Sequence, residues 1–384
     1  MLRIAQVGCG GFGKIHLNRI ERLAEMGRVE LVAGADPAGP GDHREVPCYG
    51  SLGELLSHHA VDIVSIATPI GTHMALATQA LESGAHVMLE KPPVTSLDEF
   101  WALNQMADSL DRCVQVGFQS LGSGGIERMI ELSEQELGEL VSVQVWGMWQ
   151  RYLAYFKRSE WAGHRVLDGR RVADGVCTNA LSHSIATACR IQNMLNLSDI
   201  TDIETELYHG FDTQSDDTSW VRINQRSGVP IDVSLTLCGP RQESPTVTLV
   251  GTRGRADFRY TEDTVILQRA DGTTSTETFP RRDLLENLID HIESDIPLIA
   301  PLRETEGFMA VLEATQTAPD PVPIPQEFLT WEGEGDDAHP VPRGIEYWQH
   351  YCLSSGLGYY DAEVPWADPK AKSIWTPPSM AKPQ

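Results

Sequence analysis

Apolar and polar residues change rhythm along this chain, and that rhythm predicts its elements. "LRIAQVG" is a short apolar run that reads as a buried strand, and "KIHLNRIERLAEM" then repeats Ile15, Ile20, Leu23 and Met26 at helical spacing. The unit recurs. "VELVAGAD", "VDIVSIATP", "AHVMLEKP" and "CVQVGFQ" read as four more strands, interleaved with helices in "SLGELLSHHA", "THMALATQALESG" and "SLDEFWALNQMADSL". The last of these helices starts with a Ser-x-x-Glu capping pattern at Ser96 and Glu99. Strands alternating with helices of this length predict an α/β domain over residues 1–122, with a doubly wound parallel sheet.

After residue 122 the alternation stops. "LVSVQVWGMWQ" reads as a strand, followed by an irregular aromatic-rich run and a helix in "NALSHSIATACRIQNML". "DIETELYHG", "SWVRINQ", "IDVSLTLC", "TVTLVGT", "RADFRYT" and "TVILQRA" then follow at short intervals, with turn signals at Arg226–Ser227–Gly228 and Ala270–Asp271–Gly272. They predict a largely antiparallel sheet. Helices around "RDLLENLIDHIES" and "TEGFMAVLEATQTA" close an α+β domain over residues 123–317. The proline- and acid-rich tail, 318–384, reads either as an ordered arm with little regular structure or as a partly loose one.

Composition narrows the class. The 384 residues are 41% hydrophobic and 22% charged, which suits a globular chain of two domains. The 54 acidic and 30 basic residues leave a formal charge of −24, a surface that repels phosphate backbones, so nucleic acid is not an expected partner. No apolar stretch reaches the roughly 18 residues that span a bilayer, so no membrane partner is expected either. The chain enters its first strand without an apolar leader, and its seven cysteines are scattered without CxxC pairs. Both features point to reduced thiols in a cytoplasm, with no zinc site. His58, His59, His164, His209, His291 and His350 show no metal-like spacing either, and no metal is expected.

Chemistry enters at the first turn. Gly8, Gly10 and Gly13 form G-x-G-x-x-G between the first strand and the first helix. This order suits a dinucleotide: Gly8 permits the tight turn, Gly10 lets backbone approach a pyrophosphate, and Gly13 allows close packing of helix on strand. Asp36 ends the second strand and can accept hydrogen bonds from both ribose hydroxyls while repelling a 2′-phosphate, which favours NAD over NADP; Arg44, nearby, would soften that preference. Thr68, Pro69, Glu90, Lys91 and Gln119 fall at carboxyl ends of strands, where such sheets bind ligands.

The fingerprint, "ATPIGTH" at 67–73, "EKP" at 90–92, "VGTRG" at 250–254 and "PDPVPIP" at 319–325 together resemble the glucose–fructose oxidoreductase, inositol dehydrogenase and MocA family. The resemblance implies a two-domain NAD(P)-dependent oxidoreductase acting on a sugar or cyclic polyol. Its second-domain sheet would make a homodimer or homotetramer. It also implies that Lys91, aimed by a cis-prone Lys91–Pro92 bond, reaches the substrate hydroxyl. Gly8, Gly10, Phe12, Gly13 and Asp36 would hold NAD, with Thr68, Pro69, His73, Glu90 and Gln119 around it. Independently of the family, hydride transfer from an alcohol needs positive charge and a proton acceptor close to the oxygen, which an ammonium can supply. Glu90 either pairs with a cation or caps a loop.

The family's second catalytic element is an Asp and a His four residues apart at a helix start. Here His183 matches the histidine and Asn179 replaces the aspartate; Asp174, five residues earlier, is a candidate to supply the missing carboxylate. Asn179 cannot carry charge, so it cannot raise the pKa of His183 as a carboxylate would. In "WGMWQRYLAYFKRSEWAGHR", 146–165, aromatics interleave with arginines; Tyr152, Tyr155, Trp161 and Arg165 are expected to line a substrate cleft by stacking on sugar rings and bonding hydroxyls. The expected activity is NAD-dependent oxidation of a secondary hydroxyl of a sugar, glycoside or cyclic polyol, or its reverse, with Lys91 and His183 catalytic. Two alternatives stand beside it. One is an internally recycled NAD supporting elimination or hydrolysis of a glycoside; the other is a non-catalytic NAD(H)-binding protein.

Overall fold

The computed structural model describes residues 1–39, 41, 46–226 and 228–378; Arg44 and Ser227 lie outside the described residues. The chain forms two compact units, one of residues 1–118 and 283–305, the other of residues 119–282 and 306–384. The expected boundary at 122 therefore falls four residues earlier. Residues 283–305 return to the first unit, and the tail belongs to the second.

In the first unit, β1 (Leu2–Val7), β2 (Val29–Ala35), β3 (Cys48–Tyr49), β4 (Ile63–Ile66), β5 (His86–Leu89) and β6 (Val114–Val116) form a sheet in the order β3-β2-β1-β4-β5-β6. Every pairing in it is parallel. The order reverses beside β1, which places a crevice at the carboxyl ends of β1 and β4. Ile4, Ala5, Ile63, Val64, Ile66, Val87 and Leu89 have no exposed surface, as strands covered on both faces require. The connecting helices are α1 (Gly13–Glu25), α2 (Leu52–His58), α3 (His73–Glu82) and α4 (Leu97–Ser109). Ser51 and Ser96 cap α2 and α4 by accepting from Glu54 N and Glu99 N, the second as its sequence pattern predicts.

The second unit carries α5 (Gly125–Gln135), α6 (Leu153–Phe156) and α7 (Ser182–Ile191); α8 (Leu284–Ser294) returns to the first unit, and α9 (Glu306–Thr317) and α10 (Ile345–Ser355) follow. Its strands are β7 (Leu140–Met148), the short pair β8 (Val166–Leu167) and β9 (Arg170–Arg171), β10 (Ile200–His209), β11 (Thr218–Gln225), β12 (Ile231–Thr236), β13 (Thr246–Gly251), β14 (Gly254–Arg259), β15 (Thr264–Arg269), β16 (Thr274–Thr278), β17 (Val322–Pro323), β18 (Leu329–Glu332), β19 (His339–Pro342) and β20 (Lys372–Trp375). Ten of them build one sheet in the order β16-β15-β14-β13-β7-β12-β11-β10-β17, with β20 also paired to β10. It is largely antiparallel, with parallel pairings at β7–β12 and β10–β17.

Side chains alternate across β7. Val143 and Val145 are fully buried, whereas Gln144 and Trp146 turn to the opposite face, where they bond Leu353 O and Gln349 of α10. The tail is therefore not a loose arm. Tyr208 and Trp220 of the sheet form a buried cluster with Ile345, Cys352, Tyr359, Val364, Trp366 and Ala371 of the tail. Its apolar residues are too widely spaced to register as an element until the sheet provides their partner surface.

Candidate active site

The turn after β1 is dictated by contact. Gly8 has φ +81°, and a Cβ there would lie 2.3 Å from Ala67 O; a Cβ on Gly13 would lie 2.1 Å from Gly8 O. Gly10 has nothing within 4 Å of its Cβ position, so this backbone faces open space, as a cradle for a bulky anion requires. No side chain caps α1 at Phe12, whose own ring is 55% exposed, and the helix start keeps its positive dipole end for a ligand. Asp36 folds across the turn: Oδ2 accepts from Cys9 N at 2.8 Å and Gly10 N at 3.3 Å, and Oδ1 from Ala38 N at 2.8 Å. These residues fit an adenine dinucleotide.

At the same edge of the sheet, Glu90 follows β5. It is buried, with Oε1 2.8 Å from His16 Nε2 and Oε2 accepting the Lys91 backbone N–H at 3.1 Å. A Cβ on Gly117 would lie 2.7 Å from Glu90 Oε1, so that glycine makes room for the carboxylate. The Glu90 carboxylate thus bonds a histidine at one oxygen and the backbone of the loop that follows it at the other. Sequence reading missed His16. The available signal was its place on the buried stripe of α1, with Gly13, Leu17, Ile20 and Leu23. Lys91 is half-buried, and the Lys91–Pro92 peptide is cis.

His73 is fully buried. Nδ1 lies 3.0 Å from Pro92 O and 3.2 Å from Pro93 O, and Nε2 2.9 Å from Thr68 O. Burial holds its pKa below the ordinary histidine range, against the pull of those carbonyls. The ring ties the loop after β4 to the loop after Lys91. With no exposed surface it supports these loops from below rather than lining a ligand site. Thr68 is half-buried, with its hydroxyl 2.7 Å from that of Thr72, and Pro69 is exposed. Gln119 opens the second unit, half-buried in a short 3₁₀ turn, Gln119–Gly122.

The second unit gathers a different set. A π-helical turn, Val176–Ala180, leads into α7 and carries Asn179, with His183 in the first turn of α7. His183 Nδ1 is 3.4 Å from Ser120 Oγ. Asp174 is buried and accepts from Arg158 Nη2 at 3.0 and 2.9 Å, Gly163 N at 2.8 Å and Asn179 Nδ2 at 2.6 Å. The Arg158 guanidinium stands over Tyr155 at 3.8 Å and Trp161 at 4.6 Å, and Arg151 over Trp149 at 4.4 Å. Tyr155 and Trp161 thus pack against cations of their own chain. Burial raises the Tyr155 pKa. Tyr152 is 38% exposed, and its hydroxyl donates to Gln150.

Arg165 corrects the sequence reading. It is buried, and its guanidinium donates to the carbonyls of Thr315, Ala318 and Pro319 at the end of α9 and pairs with Asp320 at 3.2 Å. The Thr315 carbonyl belongs to the last turn of α9 and those of Ala318 and Pro319 to the two residues after it, so the Arg165 guanidinium is taken up in closing that helix end and is not part of a substrate cleft. Among the described residues no group of His, Cys, Asp and Glu side chains is placed to hold a metal ion, and no helix is long and apolar enough to cross a membrane.

Similarity to known proteins agrees with this geometry. UDP-N-acetylglucosamine 3-dehydrogenase of Acidithiobacillus ferrooxidans is 28% identical over 30% of this chain and 36% of its own. Glycosyl hydrolase family 109 protein 1 of Phocaeicola vulgatus is 24% identical over 53% of this chain and 46% of its own. The chain spans about a third of the length of the first curated relatives it matches. Among solved structures, the WlbA dehydrogenase of Bordetella pertussis, in complex with NADH and UDP-GlcNAcA, is similar over 82% of this chain and 95% of that one, with TM-score 0.68 and 20% identity, a likeness of fold. Residues 2–118 match GFO_IDH_MocA, described as an oxidoreductase family with an NAD-binding Rossmann fold. That match takes in the glycine turn, Asp36 and the Glu90–Lys91–Pro92 loop, so residues 2–118 are similar to the NAD-binding Rossmann domain of this oxidoreductase family, as they are to inositol 2-dehydrogenase of Corynebacterium glutamicum and MocA of Rhizobium meliloti.

Proposed function

We propose that this protein is an NAD-dependent dehydrogenase that oxidises a secondary hydroxyl of a sugar, sugar nucleotide or cyclic polyol to a ketone, or runs the reverse reduction. The observation that carries the reading is Lys91 at the carboxyl edge of the sheet that also bears the glycine turn and Asp36. NAD, when bound, supplies the hydride acceptor. Oxidation takes a hydride from the carbinol carbon and a proton from its oxygen. The Lys91 ammonium stabilises negative charge developing on that oxygen, and His183 takes the proton. Asp36 favours NAD because a 2′-phosphate would meet its carboxylate. Relatives named for UDP-N-acetylglucosamine and inositol oxidation support this substrate class.

The test follows NADH absorbance with NAD and a panel of sugars, UDP-sugars and inositols, with Lys91→Ala run beside the wild type. Turnover of one class, reduced about 100-fold or more in the variant while NAD binding persists, is expected from loss of one charge-stabilising group. A variant as active as the wild type removes Lys91 from the chemistry. The glycosyl hydrolase relative favours a second reading, in which NAD is reduced transiently by the substrate and reoxidised after elimination or hydrolysis. There, product would form from a glycoside without net NADH.

A further inference from the structure

Two thiols meet at the glycine turn, and a further glycine makes room for them. Gly34 of β2 is the register partner of Cys48 in β3, and a Cβ on Gly34 would lie 2.8 Å from Cys9 Sγ and 3.8 Å from Cys48 Sγ. The two sulfurs are therefore no farther apart than those distances together. Gly34 is not in the left-handed region, so the close sulfur, rather than the backbone, accounts for glycine there. Cys9 sits between Gly8 and Gly10; it is buried, and its N–H donates to Asp36 Oδ2 at 2.8 Å. Burial first, then the neighbouring Cys48 and Asp36, push the Cys9 thiol up to about 12, so it stays protonated. Cys48 is half-buried, and neither residue is in a disulfide.

We propose that Cys9 and Cys48 form a reversible thiol–disulfide switch on the NAD cradle: a low-molecular-weight disulfide such as oxidised glutathione joins them, and the joined form binds NAD weakly. The pairing rests on the contacts above; its effect rests on reading the turn as a dinucleotide cradle.

Cys48 is the thiol of the pair that an external disulfide can reach. As a thiolate it attacks one sulfur of oxidised glutathione, forming a mixed disulfide and expelling one glutathione thiolate. Cys9 then gives up its proton and attacks Cys48 Sγ, which forms the Cys9–Cys48 bond and releases the second glutathione. Two electrons and two protons pass from the pair to the oxidant, which leaves as two thiols. Disulfide sulfurs lie about 2.0 Å apart. Reaching that distance draws Cys9 and β3 together, and the turn has no slack to absorb it, since a Cβ on Gly8 would already be 2.3 Å from Ala67 O. Gly10 N and Asp36 Oδ2, which flank Cys9 at 3.3 Å from each other, shift with it.

The test equilibrates the whole protein in mixtures of reduced and oxidised glutathione, maps its cysteine peptides by mass spectrometry and titrates NAD by calorimetry. Oxidation should link Cys9 to Cys48, with a mass lower by two hydrogen atoms, and weaken NAD about tenfold or more, the worth of a displaced charged hydrogen bond. Reduction should restore binding. By reciprocity, saturating NAD should favour the dithiol by the same factor, moving the midpoint potential about 30 mV to more positive values for a tenfold effect. Cys48→Ser should keep its NAD affinity in the oxidising mixture, and Cys9→Ala should stop at the Cys48–glutathione adduct.

A wild-type map that shows only glutathione adducts or another link overturns the pairing. A Cys9–Cys48 link that leaves NAD affinity unchanged, or a Cys48→Ser protein that loses affinity as wild type does, overturns the switch. Reduced wild type that binds no NAD would count against the dinucleotide reading, while the map would still decide the pairing.

Discussion

At the scale of single residues, two aspartates illustrate opposite uses of a carboxylate. Asp36 stays half-exposed at the glycine turn, where its charge is available to a ribose. Asp36→Asn should weaken NAD binding about tenfold and narrow the preference over NADP, since a charged hydrogen bond contributes roughly 1.5–3 kcal/mol; titration with both dinucleotides measures it. Asp216 is buried beside Gly175, accepting from Ser219 Oγ at 2.8 Å, and burial raises its pKa. The folded protein therefore binds this proton more tightly than the unfolded chain. Stability should fall as pH rises from about 3.8 through the raised value. Asp216→Asn should flatten that slope in calorimetric melts between pH 4 and 7; an unchanged slope would assign it to another group such as Asp217, which burial also raises.

At the scale of elements, close contacts decide which substitutions a turn or a helix end tolerates. Gly13→Ala forces a Cβ to within 2.1 Å of Gly8 O, so either β1 or α1 must shift. About 1–3 kcal/mol of stability should be lost, and NAD affinity with it, as denaturation and binding titrations would show. Arg165→Ala leaves the carbonyls at the end of α9 without their buried donor. About 1–3 kcal/mol should go, with KM for substrate unmoved, and a raised KM would restore Arg165 to a substrate cleft. The β–α alternation of residues 1–118 was legible because each strand and helix carries its own period, and the start of α4 because its cap is local. α5, β16 and α10 were not read: α5 carries Ile126, Met129 and Leu132 at a helical spacing that went unused, β16 is Thr-Ser-Thr-Glu-Thr with no apolar alternation and is fixed by its pairing with β15, and α10 takes its place by packing on β7.

At the scale of the whole molecule, the tail completes the second unit. Trp366 is 2% exposed within the cluster around Tyr208 and Trp220, and Trp366→Ala should cost about 3–5 kcal/mol in urea denaturation, whereas a loosely held arm would lose almost nothing. The sequence by itself determined what depends on residues close together in the chain: the glycine turn, Asp36 at the end of its strand, Lys91 directly after the strand in His86–Leu89, and the change from parallel to largely antiparallel architecture. Only the tertiary structure decided pairings across long separations. His16 meets Glu90 across 74 positions, Arg165 caps a helix that ends about 150 residues later, and β7 pairs with β12 in parallel. Even the five-residue Asp174–Asn179 contact needed the tertiary fold, because a π-helical turn carries Asn179 and Arg158 and Gly163 hold the buried Asp174 carboxylate. The reason is physical: periodicity and turn chemistry act within a few residues, whereas a buried polar group takes its partner from whichever element the closed sheet brings alongside.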